Sequence, residues 1–210
     1  MSTKKDLEET IKEKVAPLVE ETLEKNIGVT IPKLESDIAD KLMQPNVDIY
    51  IPHDLSFKDA KKMFKREFLK RELRLHMGNI SQLAKTLGLD RRSIHRAMKD
   101  LDVHRAGMQD KKAYYQHLVD KKIRSTLDDY KEIIHPHKME KIYQEIPRLS
   151  RNIVKFIPHQ ELSWKAAEKV FEKQFLQHAL KESKGNVRQA AEKLEIRAET
   201  LHRKIKKLDL

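Results

Sequence analysis

An internal repeat limits the folds open to this chain more than any other feature of its sequence. Residues 56–103 align with residues 163–210 at a constant offset of 107, without a gap, and 18 of the 48 positions are identical. Upstream, after a one-residue adjustment, residues 46–53 match residues 152–159. Internal repeats of this kind indicate a duplicated structural unit. We therefore predict two copies of a unit of about 105 residues, with the boundary near Val103–Met108.

Apolar residues recur at helical spacing in both copies. One helix is predicted from Lys5 to Lys25 and ended by Gly28, and a second from Pro32 to Met43. An extended link between Pro45 and Pro52 follows. The apolar stripe of the first predicted helix is Leu7, Ile11, Val15, Leu18 and Thr22, and that of the second is Leu34, Ile38 and Leu42.

A long helix follows in each copy, with Ser56 or Ser163 as its expected N-cap. The apolar stripe of the first is Phe57, Ala60, Phe64, Phe68, Leu69 and Leu73, and that of the second is Trp164, Ala167, Phe171, Phe175, Leu176 and Leu180. Because these aromatic residues keep helical spacing, we expect them in the core and not on a base-stacking surface.

The last 25 residues or so of each copy have the spacing of a helix-turn-helix. In the first copy, Ala84 allows two short helices to cross closely, and Gly88 can adopt the positive φ of a tight turn. Asp90 is expected to cap the second short helix, and Ile94 to anchor it. The outer face of that helix carries side chains suited to base edges and phosphates, namely Arg91, Arg92, Ser93, His95, Arg96 and Lys99. A structural three-helix bundle with a solvated basic face is the alternative.

The net charge of +11 is unevenly distributed. Residues 1–45 carry −3, whereas 46–103, 104–151 and 152–210 carry +5, +4 and +5. A positive surface favours polyanions, and an acidic segment is better suited to packing or pairing. The predicted fold is all-α, with a helical arm (1–45), a first helix-turn-helix unit (46–103), a second arm (104–151) and a second helix-turn-helix unit (152–210).

The sequence lacks the motifs that several classes of function require. The chain has no cysteine for a disulfide, thiol nucleophile or thiolate zinc site, and no glycine-rich phosphate-binding loop. No apolar run is long enough to span a membrane, and the first 14 residues lack the apolar core of a signal peptide. His135 and His137 have no third ligand for a metal. We predict a non-enzymatic protein of the cytoplasm, with no cofactor, no metal and no small-molecule ligand.

The two helix-turn-helix segments resemble a known family. GNVRQAAEKLEIRAETLHRKIKKLDL (185–210) and GNISQLAKTLGLDRRSIHRAMKDLDV (78–103) are similar to the Fis-type helix-turn-helix, found in the nucleoid protein Fis and at the C-terminal ends of bacterial enhancer-binding activators. The resemblance covers residues 57–103 and 164–210. The chain lacks the phosphate-binding loop of an activator's ATPase domain, so the activator mechanism is not implied.

The resemblance implies roles for individual residues. Asn79 and Ser81, and in the second copy Asn186 and Arg188, would contact phosphates at the start of the first short helix. Arg91 holds the place that commonly reads a guanine, whereas Ala198 and Glu199 hold the matching places in the second copy. The remaining DNA-binding candidates are Arg92, Ser93, His95, Arg96, Lys99, Arg197, Thr200, His202, Arg203 and Lys206. The turn residue is Gly88 in one copy and Glu195 in the other, where we expect some strain.

These observations predict a double-stranded DNA-binding protein, sequence-selective or architectural, that regulates transcription, and the resemblance implies that it associates with the nucleoid. Fis-type domains bind as dimers, so the chain would form a homodimer or an intrachain pseudo-dimer that places two recognition helices in successive major grooves. The alternatives are a helical adaptor whose helix-turn-helix units bind protein, and a non-specific nucleoid-organising protein. An RNA-binding role is disfavoured by the narrow major groove of A-form helices.

Overall fold

The computed structural model of the protein describes residues 4–28, 31–44, 47, 49–104, 110–157 and 161–210. Every regular element within these ranges is a helix, which confirms the predicted all-α class. In none of these helices does an apolar stretch long enough to cross a membrane occur. In chain order the helices are α1 (Lys4–Thr10), α2 (Ala16–Ile27), α3 (Pro32–Met43), α4 (Phe57–Leu75), α5 (Ile80–Leu87), α6 (Arg91–Asp100), α7 (Lys111–Asp128), α8 (Pro136–Phe156), α9 (Trp164–Glu182), α10 (Val187–Lys193) and α11 (Ala198–Leu208), with a π-helical turn (Ile11–Val15) between α1 and α2.

The chain forms two compact units, and each contains one part of both copies. Residues 1–45 and 110–160 form the first, which we call the arm unit. Residues 46–109 and 161–210 form the second, which we call the module unit. The predicted segments are thus grouped in pairs, arm with arm and helix-turn-helix with helix-turn-helix.

The arm unit is a helical bundle in which the helices of one arm pack against those of the other. Helix α2 packs against α8, and α3 packs against α7. The two arms therefore share one hydrophobic core. Its buried residues include Val19, Leu23, Leu34, Ile38, Ile123, Leu127, Ile142, Ile146 and Ile153.

A π-helical turn changes the apolar stripe expected for the first helix. Pro17 follows this turn, and a proline has no N–H to donate to the carbonyl four residues earlier. The wider turn shifts the helical phase by one residue, because π-helical hydrogen bonds span five residues and not four. The fully buried residues beyond it are Val19, Leu23 and Ile27, whereas Leu18 and Thr22 are only half-buried. The predicted stripe is therefore correct up to Val15 and wrong by one position afterwards.

Lysine side chains of the second arm cap helix ends of the first. The Nζ of Lys122 donates hydrogen bonds to the carbonyl oxygens of Gln44 (2.7 Å) and Leu42 (3.4 Å), at the C-terminus of α3. The Nζ of Lys138 donates to the carbonyl oxygen of Ile27 (2.6 Å), at the end of α2. A cation at a helix C-terminus satisfies unpaired carbonyls and interacts favourably with the helix dipole.

Helices α4 and α9 join the two copies in the module unit. The rings of Phe64 and Phe171 stack with centroids 4.4 Å apart and planes at 6°. These two residues are equivalent positions in the repeat, so a pseudo-two-fold axis passes between them. The same axis relates the Phe57–Phe175 contact to the Phe68–Trp164 contact. The long-helix stripes are thus core, as predicted, although Trp164 and Leu180 are only half-buried.

Opposite charges meet across the same helix pair. The Nζ of Lys61 lies 2.7 Å from Glu172 and 3.1 Å from Glu168, and the Nζ of Lys65 lies 2.9 Å from Glu168. Lys61 and Lys65 are equivalent in the repeat to Glu168 and Glu172. The Nζ of Lys204 completes the cluster, 2.8 Å from Glu172.

These contacts shift the pKa values of Lys61, Glu168 and Glu172. Burial alone would raise the pKa values of Glu168 and Glu172, but hydrogen bonds from lysines lower both below the usual glutamate value. Burial alone would lower the pKa of Lys61, but its two glutamate partners raise it. All three groups are therefore held in their charged forms.

The match between the copies does not extend to the secondary structure upstream of the long helices. Residues 152–156 lie in α8, and Ile153 is buried in the core of the arm unit. The equivalent stretch before α4 contains no helix in its described residues, 47 and 49–56. The expected division at residue 151 thus falls inside a helix, because apolar burial of Ile153 keeps that helix in the arm bundle. Pro45, Asn46, Pro158, His159 and residues 105–109 lie outside the described residues.

Candidate nucleic-acid interface

The first helix-turn-helix is formed by α5 and α6. Asn79 caps α5 through its Oδ1, which accepts a hydrogen bond from the backbone N–H of Gln82 (3.1 Å). Gly88 ends α5 with a φ of +64°. Asp90 caps α6, its Oδ1 accepting from the backbone N–H of Ser93 (2.7 Å). Asp90 and Gly88 thus form the α6 cap and the turn as predicted, whereas the cap at Asn79 was not predicted from the sequence.

The second helix-turn-helix, α10 and α11, repeats this backbone with different side chains. Asn186 caps α10 through the N–H of Gln189 (3.1 Å). Glu195 occupies the turn with a φ of +54°, so a residue with a Cβ adopts the conformation that Gly88 adopts in the first copy. At the position of Asp90 stands Arg197, whose side chain makes no capping hydrogen bond.

The turns themselves are closed by equivalent backbone hydrogen bonds. The N–H of Leu89 donates to the carbonyl of Ala84, and that of Ile196 to the carbonyl of Ala191, both at 3.0 Å. Such bonds satisfy carbonyls at the end of a helix. The two recognition helices, α6 and α11, therefore leave their turns with similar geometry.

The candidate DNA-binding residues lie on the outside of the module unit. Ser93 and Thr200 are half-buried. The others are exposed, namely Asn79, Ser81, Arg91, Arg92, His95, Arg96, Lys99, Asn186, Arg188, Arg197, His202, Arg203 and Lys206. Within the described ranges, none of the arginines and lysines in this set forms an ion pair, so their charges face solvent.

The hydroxyl of Ser93 is already used within the protein. Its Oγ donates to Oδ2 of Asp90 (2.8 Å), and the hydrogen bonds from the backbone and side chain of Ser93 lower the pKa of Asp90. The carboxylate is therefore charged at neutral pH and fixes the start of α6. A phosphate or base contact from Ser93 would have to share this hydroxyl.

The two recognition helices differ in charge. Arg91 and Arg92 begin the exposed face of α6, whereas Ala198 and Glu199 stand at these places in α11. At the other end, Lys207 replaces Asp100, and both are exposed. Positive charge is thus concentrated at the N-terminal end of α6 and at the C-terminal end of α11. Lys207 was not among the candidate residues, although its spacing from Arg203 places it on the same exposed face.

The histidine pair considered as a weak metal signal has a local structural role. His135 is the N-cap of α8, and its Nδ1 accepts a hydrogen bond from the backbone N–H of His137 (3.3 Å). Across the part of the chain that the structure describes, no group of three histidine or acidic side chains is arranged to hold a metal ion.

Comparison with known families identifies the two modules. Residues 63–101 and 169–208 each match the sequence model of the Fis family of bacterial regulatory proteins. Each match runs from within the long helix to the recognition helix. These two stretches are therefore Fis-type helix-turn-helix modules, a class that binds double-stranded DNA. No curated protein is significantly similar to the chain, and neither is any solved structure.

Proposed function

We propose that this protein is a transcriptional regulator that binds duplex DNA as an intrachain pseudo-dimer and acts at the nucleoid. The observation that carries this proposal is the two-fold-related packing of α4 against α9 through Phe64 and Phe171. Two-fold symmetric helix-turn-helix proteins place their recognition helices in successive major grooves, about 34 Å apart. One chain would then supply both recognition helices.

The charges between α4 and α9 favour pairing within the chain over a homodimer. If two chains paired through the same face of α4, Lys61 and Lys65 would meet their own copies. If the two chains paired through the same face of α9, Glu168 and Glu172 would meet the same two glutamates of the other chain. Like charges in a partly buried contact are destabilising, whereas the intrachain pairing places each lysine against a glutamate.

The two modules would divide the work of recognition. Exposed arginines can form two hydrogen bonds to a guanine, so Arg91 and Arg92 suit α6 to base reading. Ala198 offers α11 no such donor, and Glu199 would repel a nearby phosphate. The lysines at the end of α11, Lys206 and Lys207, suit it to contacts with the DNA backbone.

Binding to a duplex should depend strongly on salt, because each neutralised phosphate releases condensed counterions. The test is a series of gel shifts or titrations at increasing salt with the whole chain. The variant Arg91→Ala/Arg96→Ala/Arg203→Ala should lose duplex affinity. The control Lys12→Ala/Lys14→Ala/Lys33→Ala, which removes the same charge from the arm unit, should lose much less. If the wild-type chain shows no salt-sensitive duplex binding, the proposal is wrong.

The division of labour predicts different effects for two single changes. Arg91→Ala should reduce preference for the selected sequence, with a loss of about 1–3 kcal/mol on that sequence only. Lys206→Ala should weaken binding to all sequences evenly and reduce the salt slope by about one. Competition between a selected duplex and a scrambled one measures both. Equal effects of the two changes on all sequences would contradict the division.

The same experiments separate the other candidate functions. A helical adaptor that binds protein would not lose its partner when Arg91, Arg96 and Arg203 are changed together. An RNA-binding protein would prefer an RNA duplex or a single strand in direct competition. A non-specific nucleoid-organising protein would bind scrambled and selected duplexes equally.

A further inference from the structure

Helix α8 of the arm unit carries an exposed stripe of basic residues that the helix-turn-helix modules do not include. At 100° per residue, six exposed positions of α8 fall within an arc of about 80°. We call them the α8 stripe: His137, Lys141, Gln144, Arg148, Arg151 and Lys155. The stripe is ~27 Å long at a rise of 1.5 Å per residue. It contains four lysines and arginines and no acidic residue.

The stripe is not needed for packing. The buried face of α8, which includes Ile142, Ile146 and Ile153, lies on the opposite side of the helix. The arrangement of the arms does not require a row of exposed basic residues either, because α3, the last helix of the first arm, exposes Lys33, Ser36 and Asp40 on its outer face. The exposed face of α8 therefore carries a row of four cations that α3 does not have.

The cations of the stripe are available for a partner. Arg148 is 74% exposed, and its ion pair with Glu145 is long, at 3.9 Å. Exposed pairs of this kind contribute at most about 1 kcal/mol and are easily exchanged. The Nζ of Lys155 donates to Oδ1 of Asn152 (2.9 Å), a neutral partner that leaves the charge uncompensated.

We infer that the α8 stripe is a second duplex-binding surface, which contacts the phosphate backbone beside the site held by the modules. A linear array of cations fits a polyanion with one charge per ~1.7 Å of helix axis. In sequence, α8 is joined to the second module by only residues 157–163. A surface tethered this closely to a DNA-binding module meets flanking phosphates at a high effective concentration. The inference rests on the proposed function of the modules.

The test compares two variants of equal charge on two lengths of duplex. The stripe variant is Lys141→Gln/Arg148→Gln/Arg151→Gln/Lys155→Gln. The control variant is Lys12→Gln/Lys14→Gln/Lys25→Gln/Lys33→Gln, which changes four exposed lysines of the same unit. The short duplex covers only two adjacent major grooves, and the long duplex adds about 15 base pairs on each side. Circular dichroism confirms that both variants are folded.

On the long duplex, the slope of log affinity against log salt should be less steep for the stripe variant than for wild type, by about 2–4. The affinity of this variant at low salt should be at least about tenfold lower than that of wild type. The control should change by less than about threefold. On the short duplex, the two variants should behave alike, and the nuclease footprint of the stripe variant should be shorter. Equal behaviour of both variants on the long duplex, with wild-type binding intact, would overturn this inference alone. Failure of the wild-type chain to bind either duplex would instead contradict the proposed function.

Discussion

In the module unit, residues with a positive φ occur at equivalent positions of the two copies. Met77 and Lys184 have φ values of +50° and +49°, and Asp102 and Asp209 have +51° and +54°. Each pair is equivalent in the repeat, so the duplication preserved even its unfavourable backbone conformations. The turns of the two helix-turn-helix modules also share a positive φ but differ in strain, because glycine at position 88 adopts this φ without strain and glutamate at position 195 does not.

Glu195→Gly should therefore stabilise the module unit. A left-handed conformation costs an L-residue about 1–2 kcal/mol, and the greater flexibility of unfolded glycine returns part of this gain. We expect a net increase of about 0.5–1 kcal/mol in the free energy of unfolding. The single tryptophan, Trp164, lies in this unit, so its fluorescence during urea unfolding measures the change. The control is Glu192→Gly in α10, which should destabilise by about 1 kcal/mol. Equal destabilisation by both changes would show that Glu195 is not strained.

Lys122 makes the stability of the arm unit depend on pH. Burial lowers the pKa of this amine to about 8, from an ordinary value of 10.5. Between pH 8 and 10.5 the unfolded chain therefore binds more protons at this site than the folded chain does. Stability contributed by this group must then rise with pH across that window.

The variant Lys122→Met should remove this dependence. It should also destabilise the arm unit at neutral pH, by about 1–3 kcal/mol, since the carbonyls of Gln44 and Leu42 lose their donor. Hydrogen exchange of the α3 amides, measured from pH 7 to 10, follows this unit. The difference between wild type and variant should grow as the pH rises above 8. A constant difference would contradict the lowered pKa.

At the level of secondary-structure elements, the charges between α4 and α9 specify which helices pair. The two helices present similar apolar stripes, so burial of Phe64 and Phe171 alone would also allow each to pair with its own copy. The Lys61 and Lys65 pairs with Glu168 and Glu172 distinguish these alternatives, as charged positions do in coiled coils.

A charge-exchange cycle tests this specificity. Lys61→Glu/Lys65→Glu should destabilise the module unit by about 2 kcal/mol or more, and so should Glu168→Lys/Glu172→Lys. The combination of all four changes should recover at least half of the loss, but not all, because Glu172→Lys places a second cation beside Lys204. Trp164 fluorescence measures the stability, and sedimentation measures whether either double variant associates. Additive losses in the combined variant would rule out a specific charge interaction.

For the whole molecule, the two-fold packing and the unequal recognition helices together predict an asymmetric DNA site. Symmetric dimers select palindromic half-sites, because both recognition helices are identical. Here α6 presents Arg91 and Arg92, whereas α11 presents Ala198 and Glu199. We expect selection from random duplexes to yield one well-defined half-site and one weakly defined half-site.

Making the helices alike should restore symmetry to the site. In the variant Arg197→Asp/Ala198→Arg/Glu199→Arg, α11 begins with the same residues as α6. Selection with this variant should yield a site closer to a palindrome, with the same spacing between half-sites as for wild type. The control Lys193→Arg, a charge-conserving change at the end of α10, should leave the selected site unchanged. A site that stays asymmetric would show that these positions do not read bases.

Most of the local structure of this protein could be predicted from its sequence. Helix caps at Ser56, Asp90 and Ser163, the turn at Gly88 and the aromatic stripe through Phe64 and Phe171 depend on neighbours within a few residues, and the structure agrees with each. The Fis-type modules were visible for the same reason, because their spacing is a local pattern.

How the two copies combine could not be predicted from local sequence patterns. The grouping of arm with arm and module with module depends on contacts between residues about a hundred positions apart, such as Lys61 with Glu172 and Lys138 with Ile27. The extension of α8 to Phe156 and the exposed face of α8 depend on the same long-range burial. Periodicity predicts which residues of a helix share a face, but only packing determines which face is covered, because burial depends on the partner element and not on the helix itself.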